Sequence, residues 1–84
     1  MDIKILGSNC ANCRTLTARV DQALKELSLN ATLEKVEDIP RIISYGILAT
    51  PGLVIDGKVI SQGQVQTLSR LKEILLAARQ GAPA

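Results

Sequence analysis

Apolar and polar residues alternate at the start of the chain: Ile3 and Ile5 against Asp2 and Lys4, closing on Leu6. That period of two predicts a strand over residues 2–6. Gly7-Ser8-Asn9 is a turn, with Ser8 or Asn9 available to cap a helix behind it. From Cys10 to about Ser28 the period changes. Cys13, Leu16, Val20, Ala23, Leu24 and Leu27 recur at helical spacing, and Arg19, Gln22, Lys25 and Glu26 fall outside the stripe. Asn30 is the expected stop. Ala31, Leu33 and Lys35 then alternate with Thr32, Glu34 and Val36, which predicts a second strand over 31–36.

Asp38 is a suitable N-cap, with Pro40 two positions in, for a short helix from Ile39 to Tyr45. Gly46 can take the left-handed position that ends it. Thr50-Pro51 precedes two β-rich runs, Gly52–Ile55 and Lys58–Ser61. Asp56-Gly57 joins them, the strongest short-range hairpin signal. Gly63 breaks the chain again. Thr67 can cap a last helix from Leu68 to about Arg79, with Leu68, Leu71, Leu75 and Ala78 on one face. Residues 80–84 are expected to fray.

The predicted order is β-α-β-α-β-β-α. A β-α-β unit needs a parallel crossover, and a hairpin pairs antiparallel. The expected fold is therefore α/β, a four-stranded mixed sheet flanked by helices, in one domain over 1–84. The core must be aliphatic, since 12 Leu, 9 Ile and 5 Val stand against one Tyr and no Phe or Trp.

Net charge is +2, with Lys and Arg scattered from Lys4 to Arg79. No basic stripe forms and no aromatics are interleaved for base stacking, so nucleic-acid binding is not expected. No apolar run nears the roughly 18 residues of a membrane span. Asp2 and Lys4 interrupt the start, which is unlike a secretory leader. The expected compartment is the cytoplasm, where a structural disulfide is unusual.

The chain has two cysteines, and they stand together as Cys10-Ala11-Asn12-Cys13 at a strand-to-helix junction. The positive end of a helix dipole favours thiolate over thiol there. A second thiol three residues on lies one turn along and within reach of the first. Cys10, nearer the helix end and the exposed turn, is the expected nucleophile. Cys13, pointing back toward the helix body, is the expected resolving thiol. Arg14 can lie one turn along the same face, where its cation would further favour the thiolate; the alternative is a solvated surface charge. Glu34 and Glu37 are candidate proton acceptors by nearness in sequence only.

Two small buried hydrophobes would be the plainer role for the pair. A closed zinc site is out of reach for one chain with two Cys and no His. Two thiolates do suit a two-coordinate soft ion, so a Cu(I) or As(III) carrier is the rival function. Gly7-Ser8-Asn9-Cys10-Ala11-Asn12-Cys13 is similar to the metal loop of heavy-metal-associated domains, Gly-Met-x-Cys-x-x-Cys, with Ser8 where Met would stand. That family runs β-α-β-β-α-β and ends on a strand, whereas a helix is expected to end this chain. A third reading is a redox sensor that changes shape on oxidation and passes no electrons.

The CxxC after the first strand, the later Thr50-Pro51, the Asp56-Gly57 hairpin and Gly63 before the last helix together resemble a thioredoxin-fold oxidoreductase. The chain is most similar to the small thioredoxin-like or glutaredoxin-like redox-active disulfide proteins of archaea and bacteria, over roughly residues 2 to 79. The run Ala49-Thr50-Pro51-Gly52-Leu53-Val54-Ile55-Asp56-Gly57-Lys58-Val59 is very like theirs.

The resemblance implies a cis Thr50–Pro51 bond, with Thr50 and Pro51 presenting an extended substrate segment and Gly63 flanking its groove. It implies thiol–disulfide exchange with no bound cofactor and no metal, by a monomer acting on a protein disulfide. A thioredoxin-type reductase or a low-molecular-weight thiol would supply the electrons. The chain departs from thioredoxins proper at Asn9, Ala11 and Asn12, where they have Trp, Gly and Pro. Couples of this fold span about −270 to −120 mV, and the intervening residues tune the value.

Overall fold

The structure is a computed structural model and describes residues 1–8 and 10–80. Seven elements run in the expected order: β1 Asp2–Leu6, α1 Ala11–Glu26, β2 Thr32–Val36, α2 Ile39–Ser44, β3 Gly52–Ile55, β4 Lys58–Gln62 and α3 Leu68–Arg79. They form one mixed sheet in the order β2-β1-β3-β4. β1 pairs parallel with β2, whereas β1–β3 and β3–β4 are antiparallel.

The alternation in β1 divides the core in two. Ile3 and Ile5 project to one face. They pack with Leu53 and Ile55 of β3 against Leu16, Val20, Ala23 and Leu24 of α1 and Leu71, Ile74 and Leu75 of α3. Leu6 projects to the other face, with Val36, Val54 and Ile47 under Ile42 of α2. β1 and β3 are central strands, buried through side chains on both faces, which is why Gly52–Ile55 reads as an unbroken apolar run. Ile74 joins Leu71 and Leu75 in the α3 stripe, whereas Leu68 and Ala78 are only partly buried.

The ends of the elements differ from expectation by one or two residues. α1 begins at Ala11, and its N-cap is Cys10 rather than Ser8; the alternative cap, Asn9, lies outside the described residues. α1 stops at Glu26, before Ser28 and Asn30. Ser28 takes the left-handed conformation at φ 54°. Its N–H donates to Lys25 O at 3.2 Å and that of Leu29 to Leu24 O at 3.0 Å. Those two bonds make a Schellman ending with serine at the position glycine usually holds. β2 begins at Thr32 rather than Ala31, α2 ends at Ser44 rather than Tyr45, and β4 runs on to Gln62. Asp38 and Thr67 cap α2 and α3 as expected, accepting from Arg41 and Arg70 N–H at 3.1 and 3.2 Å. Asp56 and Gly57 take φ 50° and 81°, the pair of positive angles a tight hairpin turn needs. Of the expected frayed tail, Gln80 is the C-cap of α3, and residues 81–84 lie outside the described residues.

Candidate active site

The site lies where β1 hands the chain to α1. Gly7 leaves β1 with its N–H on Val36 O at 2.9 Å, one residue beyond the last β1–β2 pair. Cys10 then stands at the N-cap of α1 in an extended conformation, and Arg14 N–H donates to Cys10 O at 3.0 Å, closing the first helical turn. Cys10 Sγ accepts a hydrogen bond from Cys13 N–H at 3.1 Å, the role a serine or aspartate oxygen plays at other caps. The sulfur therefore faces a backbone donor and the positive helix end, which favour charge on it once it is free.

Cys10 and Cys13 are joined in a disulfide, with their Cα atoms 5.0 Å apart. The two sulfurs differ in access. Cys10 is exposed, while Cys13 is 4% exposed and belongs to the buried stripe of α1. An incoming group meets Cys10 first.

A second chain segment comes alongside. The pairing of Leu6 with Gly52 runs the chain leaving β1 at Gly7 beside the chain entering β3 through Thr50–Pro51. The Thr50–Pro51 bond is cis. Thr50 is exposed and Pro51 is buried. A methyl group placed on Gly7 would overlap Cys13 Sγ and would stand 3.6 Å from Thr50 Cβ. Gly7 is thus the point at which the cysteine helix and the proline segment meet. Gly63 joins the same row, donating its N–H to Pro51 O at 2.9 Å. It has φ +70°, and a Cβ there would come within 3.0 Å of Ala49 Cβ. Backbone angle and space both favour glycine.

Arg14 is exposed in the first turn of α1. Glu34 is held by Arg41 Nη1 at 3.1 Å on the surface, and Glu37 is exposed. Among the described residues no charged or polar side chain is buried, so neither glutamate offers a buried proton acceptor to Cys13. Two residues of the site escape a reading of the sequence. Gly7 looks like any turn glycine until its closeness to Cys13 is known. Gln62 looks like the polar end of a strand, yet its side chain binds the segment that leads into Thr50. The soft-metal reading finds no support in the structure, where the two thiolates it needs are bonded to each other.

The Thioredoxin domain family model matches residues 1–76. The chain is 39% identical over 75 residues to a protein of Methanothermobacter thermautotrophicus named thioredoxin, a match covering 89% of this chain and 97% of that one. It is 29% identical over 79 residues to a thioredoxin of Methanocaldococcus jannaschii, covering 94% of this chain and 91% of the relative.

Proposed function

The chain belongs to the thioredoxin domain family and is a thiol–disulfide oxidoreductase, and on that premise we propose that Cys10 is its nucleophile and Cys13 its resolving thiol. The observation that carries this assignment is the unequal access of two bonded sulfurs, one exposed at a helix N-cap and one buried behind it.

The exchange runs in two steps. In the dithiol form the Cys10 thiolate attacks one sulfur of a substrate disulfide. The substrate S–S bond breaks, one substrate thiolate leaves, and a mixed disulfide forms on Cys10. Cys13 loses its proton and attacks Cys10 Sγ. The mixed disulfide breaks, the second substrate thiolate leaves, and the Cys10–Cys13 bond closes. Two electrons have passed to the substrate, and the leaving thiolates take up two protons. The electrons are stored in the cysteine pair, so the reaction needs no bound cofactor.

Thr50 and Pro51 present an extended substrate segment beside Cys10, with Gly63 flanking its groove. The row Cys13, Gly7, Thr50, Pro51 and Gly63 supports this role. Arg14 is the candidate cation for the Cys10 thiolate. The substrate is a protein disulfide. A thioredoxin-type reductase or a low-molecular-weight thiol reopens the Cys10–Cys13 bond. The protein acts as one domain and as a monomer. No helix among the described residues is long and apolar enough to cross a membrane, and the compartment we assign is the cytoplasm.

The test is a trapping experiment. Cys13→Ser incubated with an oxidised protein substrate should accumulate a mixed disulfide on Cys10, read by intact mass and by peptide mapping. Cys10→Ser should accumulate none. An adduct that forms on Cys13 instead would reverse the two roles.

A further inference from the structure

We propose that Gly7 is a positioning residue that sets the redox balance of the Cys10–Cys13 couple, by leaving the space that Cys13 Sγ occupies in the disulfide. This rests on the two cysteines being the redox couple.

Glycine is usually explained by backbone angle, and that explanation fails here. The positive-φ glycines are Gly46, Gly57 and Gly63; Gly7 is not among them. Any L-residue can adopt its backbone. What it lacks is room. Gly7 is buried and held by Val36 O on one side and by β1 on the other. A methyl group on its Cα would be in ordinary contact with Cys13 Cβ at 3.5 Å and Thr50 Cβ at 3.6 Å, and would overlap one atom, Cys13 Sγ. Gly7 stands one residue past a central strand, buried and tied to Val36 O, and such packed backbone yields little, so the sulfur has to move.

Whether the sulfur can move depends on the redox state. In the disulfide, Cys13 Sγ is tied to Cys10 Sγ, and Cys10 is fixed at the cap by the Cys13 N–H. The Cys13 side chain then has one arrangement. In the dithiol the tether is gone, and Cys13 Sγ can turn to a second staggered position about Cα–Cβ. The overlap therefore penalises the closed form more than the open form. The reaction is disulfide plus two electrons plus two protons giving two thiols. Crowding the disulfide drives it toward the thiols. Glycine at position 7 keeps the closed form accessible, and so keeps the dithiol form a stronger reductant.

The experiment equilibrates wild type and Gly7→Ala in graded dithiol/disulfide buffers, traps free thiols by alkylation and reads the mass shift. Gly7→Ala is expected to move the equilibrium at least tenfold toward the dithiol, about 30 mV in the oxidising direction for a two-electron couple. Melting of the oxidised and reduced forms gives a second readout, with the oxidised form losing more. A Cys13→Ala background supplies the third, because without the sulfur the added methyl has nothing to overlap and should cost little. Should Gly7→Ala alone fail to fold, recovery of a folded protein in Gly7→Ala/Cys13→Ala supports the assignment. An unchanged midpoint in Gly7→Ala, beside a wild type that closes reversibly, overturns it. So does an equal loss of stability with and without the Cys13 sulfur. A wild-type pair that never closes would instead overturn the redox couple itself.

Discussion

Gln62 Oε1 accepts hydrogen bonds from two successive backbone donors, Leu48 N–H at 2.6 Å and Ala49 N–H at 3.3 Å. One side chain at the end of β4 thereby holds the two residues that lead into Thr50–Pro51. The bond to Leu48 fixes the backbone of a residue that is 98% exposed.

Gln62→Ala removes the acceptor and leaves both donors to water. Because the site is exposed, stability should fall by no more than about 1 kcal/mol. The larger effect should be on recognition. KM for a protein disulfide should rise several-fold, while reduction of a small disulfide, which needs no backbone pairing with Thr50, stays as in wild type. Gln62→Glu keeps an acceptor and should retain the wild-type KM. Steady-state kinetics on the two substrate sizes checks this, and an equal loss on both would mean that Gln62 does not act through substrate presentation.

Ser28 offers a gain in stability. It holds the left-handed position of the α1 ending at φ 54°, where a Cβ is unfavourable. Ser28→Gly relieves that crowding and keeps both capping bonds, which come from backbone N–H groups. The expected gain is about 0.5 to 1 kcal/mol, less than the full left-handed penalty because glycine also adds freedom to the unfolded chain. Chemical denaturation of the reduced proteins measures it, and Ser28→Ala should show no such gain.

Much of this fold is legible in the sequence because its turns carry explicit chemistry. Asp38, Thr67 and Asp56-Gly57 each have a side chain or a permitted backbone angle that few other residues supply, and each sits where it is expected. The cysteine pair is legible for the same reason. The end of α1 is not, because serine in a left-handed conformation is stabilised by backbone bonds to Leu24 and Lys25, which leave no mark on residue type. Cys10 as N-cap is hidden too, since a thiol is an uncommon capping acceptor. Gly7 and Gln62 are invisible for a deeper reason. Gln62 reaches Leu48 and Ala49 from the end of the strand that pairs with β3, and Gly7 meets Cys13 Sγ only because α1 packs back against the end of β1. Local pattern predicts that such pairings exist but not which side chains they bring together.

Thr67 and Leu71 separate the capping of α3 from its packing. Thr67 Oγ1 accepts from Arg70 N–H at 3.2 Å, so Thr67→Ala should cost about 1 kcal/mol and Thr67→Ser much less. Leu71 is fully buried between α1 and the sheet. Leu71→Ala should cost about 2 to 5 kcal/mol, the loss growing with the cavity that remains. Neither residue belongs to the site around the cysteines, so the midpoint potential of the folded variants should not move. A shift in potential with either one would mean that α3 packing reaches the disulfide.

Glu26 at the end of α1 and Lys72 of α3 form an ion pair that ties these two helices together at the surface. The Lys72 ammonium, and then the Gln22 amide at 2.8 Å, hold the Glu26 carboxyl below its ordinary value of 4.5. A carboxyl bound more tightly as its anion in the folded state adds stability above the unfolded value, and the contribution disappears as pH falls through the folded one. Asp2 behaves in the same way, held low by Lys4 and by the Thr32 hydroxyl. Both pairs are open to water, so each contribution is small and screened by salt. Glu26→Gln should therefore melt slightly below wild type at pH 7 in low salt. The gap should narrow at high salt, and it should close as pH falls through the folded carboxyl's lowered titration, where wild type itself becomes protonated. Melting curves of the two proteins from neutral pH down through the folded carboxyl's titration read this directly. A gap that persists once the carboxyl is protonated would show that Glu26 contributes through packing rather than charge.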